Sequence, residues 1–170
     1  YELSPSERHT TAARVVQRAA GRVPVAAAAL GRGAELAADV DALAEAGVGT
    51  VVLVASDVLT PDDDESVLFD TVDALLAQRD DVSFGIYECP LPHHRLLSTE
   101  AIARLAATGR FTFFKETSHD VELMGQRVAV AAESDLAVFN AGIENYVESL
   151  AVGVSGLSGW VVNVAPDLVA

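Results

Sequence analysis

Lys115 is the only lysine in a chain that carries ten arginines. It follows Phe111-Thr112-Phe113-Phe114, a β-branched and aromatic run that reads as a strand. Arginine serves in most ion pairs, but its guanidinium stays protonated and cannot act as an amine nucleophile. A lone lysine at a strand end points instead to attack of a neutral amine on a carbonyl. Apolar neighbours favour this chemistry, because desolvation lowers an amine pKa toward neutrality. Two-residue alternation expects Phe111, Phe113 and Lys115 on one face. The plain alternative is a lysine that pairs with Glu88 or Glu116, or that reaches to the rim.

A second run, Gly85-Ile86-Tyr87-Glu88-Cys89-Pro90, places Tyr87 at an equivalent late strand position. A phenol beside an imine-forming lysine can shuttle protons during carbinolamine formation and dehydration. His93, His94 and Arg95 follow as a basic cluster, read either as a solvated loop or as a lid over a substrate carboxylate. Asn140 and Asn163 end candidate strands, where they can orient hydroxyls or cap turns. Asp62-Asp63-Asp64-Glu65 resembles a metal site but reads better as a helix start, where carboxylates meet the positive end of the dipole. The four histidines show no zinc-type spacing, so no metal and no other cofactor is expected.

These residues need a scaffold that brings strand ends together. Strands are expected at Val23–Ala29, Thr50–Ala55, Val82–Glu88, Phe111–Glu116, Leu136–Asn140 and Gly156–Asn163. Helices are expected at Pro5–Ala20, Ala34–Ala46, Glu65–Gln78, Thr99–Thr108, Val121–Ala132 and Glu144–Val152. The first has a marked start, with Ser4 as N-cap, Pro5 in the first turn and Glu7 completing a capping box. Alternating strands and helices imply a parallel sheet with right-handed crossovers. Runs such as Val51-Val52-Leu53-Val54-Ala55 suit strands covered on both faces. Gly31-Arg32-Gly33 lacks the third glycine of a dinucleotide loop, which favours a (β/α)8 TIM barrel over an open doubly wound sheet. A whole barrel takes roughly 250 residues. Residues 1–170 are therefore expected to form a single, partial barrel domain of about six βα units, with the first strands and the C-terminal helices outside the chain.

The balance of 25 acidic against 11 basic residues, net -14, argues against a nucleic-acid partner and against anionic membranes. No apolar run is long enough to span a bilayer. One cysteine, Cys89, allows no internal disulfide, so a cytoplasmic location is expected.

Several ordered segments resemble the dihydrodipicolinate synthase/N-acetylneuraminate lyase family, whose members are class I, Schiff-base aldolases. They are Tyr1-Glu2-Leu3-Ser4-Pro5-Ser6-Glu7-Arg8, Gly21-Arg22-Val23-Pro24-Val25, Ile86-Tyr87-Glu88-Cys89-Pro90, Phe114-Lys115-Glu116-Thr117-Ser118-His119-Asp120, Gly153-Val154-Ser155-Gly156-Leu157-Ser158 and Asn163-Val164-Ala165-Pro166. The resemblance implies a TIM barrel, a homotetramer, and an aldolase, lyase or dehydratase acting on a 2-keto acid such as pyruvate or a sugar-acid derivative. It implies Lys115 as imine former and Tyr87 as proton relay. It also implies Thr117, Gly142, Glu144, Ser158 and Arg95 as substrate-binding residues. The chain departs from the synthases at Ala55-Ser56-Asp57, where they carry a Pro-x-Tyr segment. Arg95 lies three residues beyond the position of their substrate-carboxylate arginine. Trp160 stands where sialic-acid lyases have a small hydroxyl residue. The alternative reading is a family member that has lost catalysis and binds a small carboxylic acid.

Overall fold

A computed structural model describes residues 3–168; Tyr1 and Glu2, which open the first of the segments named above, lie outside the described residues. The opening helix α1 (Pro5–Ala19) starts as its sequence dictates. Glu7 N–H donates to Ser4 Oγ, and the Glu7 carboxylate accepts from Ser4 N–H at 2.8 Å. Five βα steps follow: β1 (Ala26–Ala29), α2 (Ala34–Glu45), β2 (Thr50–Val54), α3 (Ala55–Val58), α4 (Ser66–Gln78), β3 (Ser83–Tyr87), α5 (Thr99–Ala107), β4 (Phe111–Glu116), α6 (Val121–Ala131), β5 (Ala137–Asn140) and α7 (Tyr146–Ala151). A short β6 (Gly156–Leu157) and two 3₁₀ turns, Trp160–Asn163 and Pro166–Leu168, end the described chain.

All six strands are parallel and lie in chain order, β1-β2-β3-β4-β5-β6. That order, with a helical connection after each of the first five strands, is the order of a (β/α) barrel wall. Register divides the side chains into two faces. Leu53, Ile86, Phe114 and Val138 are cross-strand neighbours and face the helices, where all are at most 2% exposed. Leu36, Val40, Leu68, Val72, Ile102, Leu105 and Met124 pack from the helix side into the same core. The opposite, concave face carries the row Val54, Tyr87, Lys115, Phe139 and Gly156.

Three expectations are corrected. The last strand was expected over Gly156–Asn163, but only Gly156 and Leu157 pair, with Phe139 and Asn140. Beyond them the chain turns into a 3₁₀ helix and leaves Trp160 88% exposed. The first strand starts at Ala26 rather than Val23, since Pro24 brings no N–H to a ladder and Val23 stays exposed. Phe111 does not share a face with Phe113 and Lys115. The β3–β4 register shifts so that Phe84 pairs with Phe111 while Gly85 pairs with Phe113. Thr112 is the extra residue, and Phe111 lies on the helix side against Phe84, ring centroids 5.8 Å apart.

Gly85 is where the concave face is tightest. A Cβ there would lie 3.0 Å from the Phe113 carbonyl oxygen and 3.1 Å from Phe113 Cβ. Gly85→Ala should therefore destabilise the fold by about 1–3 kcal/mol, from overpacking. Urea unfolding checks this as a lower midpoint at constant m. An unchanged or higher midpoint would mean that Phe113 yields the space.

Candidate functional site

Tyr87 and Lys115 are direct cross-strand partners at the C-terminal ends of β3 and β4. Lys115 Nζ lies over the Tyr87 ring, 4.5 Å from its centroid. Phe113 and Phe139 stack beside it on the concave face at 5.0 Å. Lys115 is half-buried, and its pKa is pushed below the ordinary lysine value by desolvation, with Cys89 acting weakly the other way. The aromatic face attracts an ammonium. Burial among Phe113, Phe139 and Tyr87 outweighs it.

Among the described residues, no carboxylate forms an ion pair with Lys115. The two nearest in sequence, Glu88 and Glu116, each follow an inward residue and so point to the helix side. Both are fully buried there, and both bind Arg127 of α6, itself fully buried. Arg127 reaches Glu88 with two nitrogens, at 2.8 and 3.2 Å, and donates to the Leu97 carbonyl at 2.6 Å and to Glu116 Oε1. Glu88 also accepts from the Leu97 and Thr117 N–H groups. Burial pushes the Glu88 carboxyl up to about 7 against the pull of Arg127, and Glu116 adds to the rise. One guanidinium cannot neutralise two carboxylates, which is part of why the Glu88 carboxyl is raised.

Sequence reasoning missed Arg127. Its signal was periodicity: Met124, Arg127 and Ala131 share the buried stripe of α6, so an arginine stands on an apolar face.

The other expected residues are spread around the rim. Thr117 is buried; its hydroxyl donates to the Glu88 carbonyl at 2.7 Å. With that proton committed, His94 Nε2, 2.8 Å away, must donate to Thr117 Oγ1. Arg95 donates to the Pro61 and Asp63 carbonyls, and His93 bonds to the Leu59 carbonyl, so the basic cluster ties its loop to the β2–α4 connection. Asp63 and Asp64 accept backbone N–H groups of Thr60 and Ser66 just before α4. Gly142 N–H donates to Asn140 Oδ1, and the Asn140 amide caps the turn through Asn145 and Ser149. Glu144 pairs with His119. Ser158 N–H donates to the Asn140 carbonyl at 2.8 Å. Asn163 is exposed, in the first 3₁₀ turn. No group of three metal-ligating side chains and no helix able to cross a membrane occurs among the described residues.

A parallel (β/α) wall in chain order, with an amine and a phenol side by side at its C-terminal strand ends, defines an α/β-barrel protein. The chain belongs to the dihydrodipicolinate synthetase family, whose model matches residues 1–170. It is 34% identical, over 173 aligned residues, to an uncharacterized DapA-like lyase found in two strains of Halobacterium salinarum, covering 98% of this chain and 54% of theirs. The chain thus spans about half the length of the curated relatives it matches. Among solved structures, dihydrodipicolinate synthase from Acinetobacter baumannii, complexed with pyruvate, superposes with a TM-score of 0.86 at 20% identity, over 99% of this chain and 57% of that one. YagE, a prophage protein of the dihydrodipicolinic acid synthase family from E. coli K12, also in complex with pyruvate, gives 0.85 at 18%, over 98% and 56%. The synthase from Thermotoga maritima gives 0.82 at 22%, over 97% and 56%. These likenesses establish the fold, a partial barrel.

Removing the guanidinium strands two buried carboxylates. Arg127→Leu should lower stability by about 3–5 kcal/mol, measured by chemical unfolding at pH 7. Glu88 has a folded pKa raised above its unfolded value, so the folded state holds a proton that the unfolded state loses first. Its contribution to stability should fall as pH rises from about 4.5 to about 7 and level off above that. Glu88→Gln, which mimics the protonated form, should remove this slope. Equal pH dependence in the wild type and the variant would refute the assignment.

Proposed function

We propose that the protein is a Schiff-base-forming lyase or aldolase acting on a 2-keto acid, with Lys115 as the nucleophile and Tyr87 as the proton relay. One observation carries the reading: a half-buried lysine with lowered pKa lies over a tyrosine ring and has no carboxylate partner among the described residues. In this reading the neutral Nζ attacks the C2 carbonyl, and water leaves as the carbinolamine becomes an iminium. The iminium then takes up the electron pair of the breaking C–C bond as an enamine. The Tyr87 hydroxyl carries protons to and from the reacting oxygens. Complexes of two structural relatives with pyruvate support a pyruvate-type acid.

Gly142, Glu144 and Ser158 sit on the rim after β5 and β6, where a substrate tail extends beyond the keto group. Thr117, whose hydroxyl donates to the Glu88 carbonyl, and Arg95, whose two terminal nitrogens donate to the Pro61 and Asp63 carbonyls, line the walls of this substrate site. A single barrel domain over 1–170, a homotetramer and a cytoplasmic location belong to the same proposal and rest on the sequence reading. A second reading, a non-catalytic binder of small carboxylic acids, draws on Ser56-Asp57, which stand where the synthases carry a second tyrosine.

Borohydride reduction in the presence of pyruvate should fix a stable adduct on Lys115, located by mass spectrometry. Lys115→Arg should abolish it, and Tyr87→Phe should slow turnover by roughly 10²-fold or more. Because burial lowers the lysine pKa, the pH dependence of trapping should break below the ordinary lysine value of 10.5. No adduct with any 2-keto acid, together with ligand-induced stabilisation that survives Lys115→Arg, would favour the binder.

A further inference from the structure

Behind the Tyr87–Lys115 pair, on the helix side of the sheet, one side chain from α6 holds the exits of both strands. Arg127 Nη1 donates to Glu88 and Glu116 together, and Nη2 donates to Glu88 and to the Leu97 carbonyl. Each carboxylate belongs to the residue that follows a member of the pair. Glu88 N–H donates to the Lys115 carbonyl at 3.3 Å, so the backbone of the first acid is joined to the residue that carries the amine. The Glu88 carboxylate accepts Thr117 N–H, two residues beyond Lys115, and Leu97 N–H, just before the N-cap of α5. Two strand exits and two helices thus meet at one guanidinium.

This is a poor way to gain stability. Two carboxylates share one cation, all three side chains are fully buried, and Glu116 Oε2 and Arg127 Nε have no hydrogen-bond partner among the described residues. Uncharged side chains of similar volume often fill such a site with equal or better stability. What they do not supply is direction, because a planar fork dictates where each partner sits. The partners here stand one residue from the phenol and one residue from the amine, whose Nζ lies 4.5 Å from the Tyr87 ring centroid.

We propose that Arg127 is a positioning residue for proton transfer: acting through Glu88 and Glu116, it sets the Tyr87 hydroxyl relative to Lys115 Nζ. This role rests on the Schiff-base reading above and deepens it. Arg127 touches no substrate, since the carboxylates it grips lie on the face opposite the amine. A misplacement of about 1 Å in a reacting group can cost on the order of 10²-fold in rate. Binding of a small keto acid depends far less on where the phenol stands, so the loss belongs in kcat.

The test uses the full-length protein and pyruvate alone, followed by loss of the methyl proton signal in D2O. In this exchange Lys115 condenses with C2 and water leaves. The iminium then loses a C3 proton to give the enamine, a deuteron returns to C3, and hydrolysis releases labelled pyruvate. Lys115→Arg gives the background, and borohydride trapping titrates the competent sites. Arg127→Met combined with Glu88→Gln and Glu116→Gln leaves no buried charge unpaired and should fold with a urea midpoint near that of the wild type. Its kcat per titrated site should fall about tenfold or more, with KM within about threefold. Arg127→Lys keeps the charge but loses the fork, and should show the same split. In a Tyr87→Phe background either change should cost less than about twofold, because the group being positioned is gone. Full kcat per titrated site in both folded variants, or equal losses with and without the phenol, overturns this inference alone. A wild-type protein that neither exchanges nor traps pyruvate overturns the Schiff-base reading and this inference with it.

Discussion

One buried guanidinium organises the end of the sheet that carries Lys115 and Tyr87. Arg127 comes from α6 and closes on carboxylates from two adjacent strands, Glu88 after β3 and Glu116 at the end of β4. Each charge taken from water carries a desolvation cost of several kcal/mol, offset here in part by the bidentate grip on Glu88 and by backbone donors, while Glu116 Oε2 and Arg127 Nε stay without a hydrogen-bond partner among the described residues. Leu97 and Thr117 N–H groups on Glu88, and Ser118 N–H on Glu116, supply those donors. The triad thereby fixes the β3 and β4 exits and the loop carrying Leu97 relative to one another.

The same pairing decides what the lysine is free to do. Alternation along β3 and β4 sends neighbouring residues to opposite faces: Tyr87 inward and Glu88 outward, Lys115 inward and Glu116 outward. With both carboxylates engaged behind the sheet, the amine meets aromatic rings on its own face. An amine kept from carboxylates and partly from water titrates lower than a surface lysine, which is the property an imine-forming nucleophile needs.

Much of this was legible in the sequence. The capping box at Ser4 and Glu7, the apolar runs of β2 and β4 and the helical periods between them determined element types and order. The lysine was legible through its rarity, and its pairing with Tyr87 through equivalent strand positions. Arg127 was hidden because an arginine reads by default as a surface residue; only its place on the stripe with Met124 marks it as buried. Phe111 was misplaced because alternation assumes an unbroken ladder, and the extra residue at Thr112 leaves no compositional trace. The short helix Ala55–Val58 went unread for a related reason: its apolar residues continue the run of β2 without a break.

The extra residue at Thr112 reaches further than the packing of two phenylalanines. Upstream of it, β4 is phased to the helical layer through Phe111; downstream, it is phased to the concave face through Phe113 and Lys115. The segment acts as a phase shifter between two demands that an uninterrupted ladder cannot meet together. Sequence drift by substitution is compatible with it, but drift by insertion or deletion is not. A one-residue change in the spacing between Phe111 and Lys115 would turn either the aromatic anchor or the amine to the wrong side of the wall.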